Sequence, residues 1–163
     1  MKTIYFIRHA KSSWDQPTSD VDRSLNERGF NDAHQVGKKL LDKNISYDAI
    51  YSSIANRAQT TAQIVTAEMG VDPKHLIFKK ELYTFESNEV ISFIKKLPDI
   101  EANVLIFGHN PAFTAVVNSL GSIKFDNLPT CGVVAIQFNI KKWEDLVKGN
   151  TSFYILPKLL GYL

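Results

Sequence analysis

Six short apolar runs, most of them separated by longer stretches with helical spacing, constrain this chain more than any other feature. The runs are Ile4–Ile7, Ala49–Tyr51, Leu76–Phe78, Val104–Phe107, Val133–Phe138 and Phe153–Leu156. Each has the length of a strand and is apolar at successive positions, the pattern of strands covered on both faces. Between them, Phe30, Ala33, Val36, Leu40 and Leu41 share one helical face, and Ala58, Ala62, Val65 and Met69 share another. Val90, Ile91, Phe93, Ile94 and Leu97 form a third, which Ser87 would cap. Asn110-Pro111 opens a fourth, with asparagine as cap and proline at the first helical position, where a missing N–H costs nothing.

Strand alternating with helix predicts an α/β protein, a three-layer α/β/α sandwich around a mainly parallel six-stranded sheet. The end of the chain breaks the alternation. Trp143-Glu144-Asp145 with Gly149-Asn150 reads as a turn region joining the last two strands, which places one antiparallel strand at an edge. A length of 163 residues, with no repeat, low-complexity tract or linker, fits one domain over 1–163. The longest polar segment, Lys11 to Arg28, is a surface loop, and loops of that length are functional or mobile.

A net charge of +2 gives no reason to expect a nucleic-acid or membrane partner, although a few basic residues in one pocket could still bind an anion. The one cysteine, Cys131, rules out an intrachain disulfide framework and fits a reducing compartment. Arg8 interrupts the first apolar run, which is too short for a signal segment or a membrane span. A cytoplasmic location is the expectation.

In open α/β sheets, ligands bind beyond the carboxyl ends of the parallel strands. Arg8-His9 follows the first strand, and Ser52-Ser53 follows the second, with Arg57 entering the next helix. Glu81 lies past the third, and Gly108-His109-Asn110 past the fourth. Two arginines, two histidines and a carboxylate are thus delivered to one sheet edge. Arginine suits a phosphoryl group because its planar fork offers several donors and keeps its charge. Histidine can serve as nucleophile or proton carrier near neutral pH. Neither the cysteine nor His34 and His75 show the spacing of a metal site, so an anion site without metal or other cofactor is the simpler expectation.

These residues resemble those of the histidine phosphatase superfamily, which includes cofactor-dependent phosphoglycerate mutase. Arg8-His9-Ala10-Lys11-Ser12 is similar to its R-H-G/A signature. Asp22-Arg23-Ser24-Leu25-Asn26-Glu27-Arg28-Gly29 resembles the segment before the first helix. Ser52-Ser53 through Arg57-Ala58-Gln59-Thr60-Thr61-Ala62 resembles the segment carrying the second arginine, and Phe107-Gly108-His109-Asn110-Pro111 that carrying the second histidine. Four blocks in order are a specific match. The short length, and alanine after His9 followed by Lys-Ser-x-Trp, look like the SixA branch. The resemblance implies a phosphoglycerate mutase-like fold.

It also implies roles. Neutral His9 attacks phosphorus and becomes phosphohistidine, which water hydrolyses, and its other ring nitrogen should donate to a backbone carbonyl. Arg8, Arg57 and His109 surround the nonbridging oxygens. Glu81 stands where many members carry a general acid, and it reads equally as a surface glutamate. Ser12 and Asn110 are candidate phosphate contacts, with Lys11 and Thr130 weaker ones. Trp14 packs the loop, and Asp22 pairs with Arg23. The leading expectation is a metal-independent phosphohistidine phosphatase acting on a histidine-phosphorylated protein domain. The alternatives are a phosphatase for small phosphate monoesters and a non-catalytic module that binds a phosphorylated ligand.

Overall fold

The structure is a computed structural model that describes residues 1–160. Its sheet contains β1 (Lys2–Arg8), β2 (Ala49–Ser53), β3 (Leu76–Lys79), β4 (Asn103–Gly108), β5 (Val133–Phe138) and β6 (Asn150–Ile155). The helices are α1 (Glu27–Asp42), α2 (Asn56–Glu68), α3 (Ser87–Lys95) and α4 (Ala112–Leu120). Strand order is β3-β2-β4-β1-β5-β6. The pairs β2–β3, β2–β4 and β1–β4 are parallel, whereas β5 runs antiparallel to both of its neighbours. The reversed strand is therefore β5, inside the sheet, and the edge strand β6 points the same way as β1. The turn over Trp143–Asp145 does join the last two strands, and the hairpin inserts its first strand against β1 instead of adding one reversed strand outside.

Alternate residues of each central strand feed two cores, which is why the runs are apolar throughout. Ile4, Phe6, Val104, Ile106, Val134 and Ile136 meet Val90 and Ile94 of α3 and Phe113, Val116 and Val117 of α4. Tyr5, Ile7, Leu105, Phe107, Val133 and Ala135 meet Ala33, Val36 and Leu40 of α1 and Ala62 and Val65 of α2. The result is the expected three-layer sandwich. Phe30 and Leu41 lie on the outer side of α1 and are exposed. No helix among the described residues is long and apolar enough to cross a membrane.

Two helix starts differ from the sequence expectation. Ser87 is the first residue of α3, and it is Thr84 Oγ1 that accepts from the Glu86 N–H and donates to Glu89. In α4 the first helical residue is Ala112, and the Asn110 side chain accepts from the Thr114 N–H, so it caps from further out than a cap residue normally does.

The 11–28 segment is folded back on itself. Ser12 bridges Leu25, and Asn26 donates its N–H to the Lys11 carbonyl while its side chain caps α1 at Gly29. Gly29 is required by this approach: a Cβ there would lie 2.1 Å from the Lys11 carbonyl oxygen. Arg23 ties the loop down by donating to Ser12 Oγ at 2.7 Å, and its guanidinium carbon lies 3.5 Å from the centre of the Trp14 ring. Its acidic partner is Asp20, at 3.3 Å, not the adjacent Asp22, which accepts from Ser19. The chain direction explains the difference, because Asp20–Asp22 form a tight turn that brings residues three apart together.

Candidate active site

Three parallel strands, β1, β2 and β4, lie side by side, so their carboxyl ends converge. His9 follows β1 and is fixed by backbone partners at its N–H and its carbonyl. Its N–H donates to Gly108, and its carbonyl accepts from Cys131. Next to it, the Ala10 N–H donates to Thr61 of α2, and Thr61 donates in turn to the Arg57 carbonyl. His9 Nδ1 lies 2.7 Å from the Ala10 carbonyl, which can only accept, so Nδ1 carries the proton and Nε2 has the free electron pair. Arg57 Nε–H points at that Nε2 from 3.4 Å.

Around His9 lies a cavity of about 280 Å³, lined also by Arg8, Ser12, Asp20, Arg23, Arg57, His109 and Asn110, with Lys11, Trp14, Phe85 and Thr130 at its rim. Arg57 is 2% exposed and His109 1%. Arg8 donates to the Leu128 carbonyl at 2.9 Å, and the same carbonyl accepts from Asn110. The loop before β5 reaches this edge because β5 runs the opposite way to β1. His9 and His109 have ring centres 5.2 Å apart, and the rings of Tyr83 and Phe85 also pack against His109.

Electrostatically the cavity is a basic pocket with neutral imidazoles. Burial pushes His9 down to about 3; the Ala10 hydrogen bond opposes this, and the charges of His109, Arg57 and Arg8 add to it. Burial, with Arg57 next in size, likewise pushes His109 down to about 3. Asp20 is the one carboxylate among the lining residues. Burial pushes its carboxyl up, but hydrogen bonds from Tyr83 and Arg57 and the charges of Arg57 and Arg23 outweigh that and hold it below its ordinary value. Two guanidiniums flanking an unprotonated, low-pKa imidazole can bind a phosphoryl group and attack it.

Arg8, His9, Ser12, Arg57, His109 and Asn110 are thus gathered at one cavity. Glu81 is not. It sits in a one-turn helix, Lys80–Leu82, just past β3 and lines a separate groove with Tyr51, Lys79, Glu89 and Phe93. That turn directs Leu82 into the core and Tyr83 toward Asp20, leaving Glu81 outward. Trp14, 76% exposed, packs on the loop through Arg23, as expected, and also lies at the rim of the cavity. Sequence reasoning missed Asp20 and Tyr83; the one available hint was an acid three residues before Arg23 in a segment ending at a site. Among the described residues, no group of three or more His, Cys, Asp or Glu is placed to hold a metal ion.

Comparison with known proteins gives a consistent set of likenesses. A family model described as histidine phosphatase superfamily (branch 1) matches residues 4–82. An uncharacterized protein of Mycobacterium tuberculosis is 29% identical over 153 residues, covering 88% of this chain and 93% of that one. A 2,3-bisphosphoglycerate-dependent phosphoglycerate mutase of Haemophilus influenzae is 41% identical over 68 residues, but these are only 30% of the mutase. The SixA structure from Agrobacterium tumefaciens superposes with a TM-score of 0.80 at 26% identity, over 96% of this chain and 98% of that one. A protein histidine phosphatase SixA solved with tungstate shares the fold at a TM-score of 0.82 and 19% identity, over 97% and 99% of the two chains.

Proposed function

The chain belongs to the histidine phosphatase superfamily with a SixA-like fold, and from that premise we propose that it removes phosphoryl groups from protein phosphohistidine, without a metal. The cavity residues have distinct parts in the reaction. His9 Nε2 forms a bond to phosphorus as the bond to the substrate's nitrogen breaks, and the electron pair of that bond leaves with the substrate imidazole. Arg8 and Arg57 neutralise the equatorial oxygens, and His109 donates to one of them. Water then attacks phospho-His9, phosphate departs, and the electron pair of the P–N bond returns to Nε2.

The observation that carries this reading is where the protons are. His9 keeps its proton on Nδ1, against the Ala10 carbonyl. It is therefore a neutral imidazole both before attack and after hydrolysis, and it leaves phosphorus without help from an acid. A substrate phosphohistidine protonated on its other nitrogen leaves on the same terms. An alkoxide would need a proton, and the cavity's carboxylate, Asp20, is held in its ionised form by Arg57 and Tyr83. Glu81 lies in another groove. Exposed Trp14 and Phe85 flank the mouth, as suits a protein surface more than an enclosed metabolite.

The test compares turnover of a phosphohistidine-bearing protein with that of a panel of sugar and nucleotide phosphates, with EDTA present throughout. Faster turnover of the phosphohistidine is expected, with phosphate trapped on His9 in rapidly quenched samples. Faster ester turnover would replace this reading with that of a monoester phosphatase. Binding without turnover or a trapped intermediate would leave a binding module. Loss of all activity in EDTA would overturn metal independence.

A further inference from the structure

Ser53 ends β2, beside His109 at the end of β4, because β2 and β4 are neighbours in the sheet. Both side chains are buried. Ser53 Oγ lies 2.8 Å from His109 Nε2, and it also accepts the Ala55 N–H at 3.1 Å. A hydroxyl has one proton to give and two lone pairs to receive with. Among the described residues, His109 Nε2 is the one acceptor within reach of that proton. If Nε2 itself carried a hydrogen, Oγ would receive two N–H groups and its own proton would be buried with nothing to accept it. The pairing that satisfies all three groups has Ser53 donating to a bare Nε2.

The proton of the neutral ring must then be on Nδ1. That atom is buried and has no hydrogen-bond partner, and the ring to which it belongs lines the cavity, whereas Ser53 does not. A buried N–H without an acceptor in a basic pocket is a donor waiting for an anion. We infer that Ser53 is a positioning residue that fixes His109 as its Nδ1–H tautomer, so that the ring presents a single proton to an oxygen of the bound phosphoryl group. This rests on the reading of the cavity as a phosphoryl site.

The two histidines then use one tautomer in opposite ways. In His9 the Nδ1–H is spent on a backbone carbonyl and the Nε2 electron pair faces the substrate. In His109 the Nε2 electron pair is spent on Ser53 and the Nδ1–H faces the substrate. A neutral imidazole has only one N–H, so without Ser53 the ring could turn a lone pair toward a phosphoryl oxygen, and binding would suffer.

Side-chain 15N NMR of the wild-type chain at pH 7 tests the assignment directly, beside vanadate titrations of wild type, Ser53→Ala and Ser53→Thr. The wild type is expected to show His109 as Nδ1–H alone. Ser53→Ala is expected to give a tautomer mixture and vanadate binding weakened about tenfold, with Ser53→Thr restoring both. An Nε2–H signal in the wild type overturns the inference whether or not any variant folds. So does Ser53→Ala with unchanged tautomer and affinity. Failure of the wild type to bind vanadate, with its Nδ1–H signal present, would instead overturn the phosphoryl-site reading.

Discussion

Arg57 and Asp20 meet at two points: the Asp20 carbonyl accepts from Arg57 Nη1 at 2.7 Å, and its carboxylate accepts from Nη2 at 3.1 Å. With Nε directed at His9, every nitrogen of this guanidinium has a partner before substrate arrives. The contact holds the fork with Nε–H aimed at His9, but it also places a negative charge where the proposed phosphoryl group would bind.

Asp20→Asn keeps an oxygen for Arg57 and removes that charge. Vanadate is expected to bind about tenfold more tightly, equivalent to about 1.4 kcal/mol, in titrations at low ionic strength. Weaker binding by this variant would mean that the carboxylate's grip on Arg57 matters more than its repulsion of the anion.

Acid should destabilise the unliganded protein through both site histidines. In the folded chain they are pushed down to about 3 by burial, whereas in the unfolded chain they titrate near 6.5. Above pH 6.5 neither state binds these protons, and the stability due to the pair is fully present. As pH falls from 6.5 toward 3, the unfolded chain takes up protons that the folded one refuses, and stability is lost at about 1.4 kcal/mol per pH unit for each ring. Urea midpoints across this range should fall with pH, and replacing both histidines by asparagine should flatten that slope.

Gly29→Ala should loosen the loop that follows His9, because the added Cβ would fall 2.1 Å from the Lys11 oxygen, a backbone atom that cannot swing aside. A loss of roughly 1–3 kcal/mol is expected, as for other overpacked sites, read from denaturant unfolding. Turnover should drop as well, since Lys11 is two residues from His9. Unchanged stability would show that α1 and the loop separate freely.

Glu81→Gln should leave phosphohistidine turnover within about twofold of wild type, as surface changes away from a site commonly do. A fall of a hundredfold would return the glutamate to the reaction. The contrast with Arg57→Ala is informative, since losing one charge-stabilising donor costs about 10²–10³ in rate.

The residues at the ends of β1, β2 and β4 were legible because consecutive parallel strands must send their carboxyl ends to one edge. Position along the chain therefore gave position in space for Arg8, His9, Arg57 and His109. It failed for Glu81 because a single turn after β3 decides which of three adjacent side chains faces inward, and local sequence does not set that rotation. Asp20 was illegible for a different reason. Its place depends on Arg23 and Ser12 folding the loop back, contacts between residues with no periodic pattern. The hairpin of β5 and β6 could be read, but the strand it docks against is chosen by core packing, where β1 offers apolar residues on both faces. For Ser53, residue type and strand end were both visible, and its meaning appeared only with His109 beside it.

The centre of the sheet carries a consequence for how the chain is made. β1, which leads into His9, lies between β4 and β5, so both of its hydrogen-bonding neighbours come from beyond residue 100. β1 therefore cannot complete its pairing until β4 and β5 have been made, and Arg8 lies 120 positions before the carbonyl it binds. A chain cut after β4 would keep His9 but lack the Cys131 N–H that its carbonyl accepts. The chemistry proposed for His9 would therefore depend on strands from the far half of the chain.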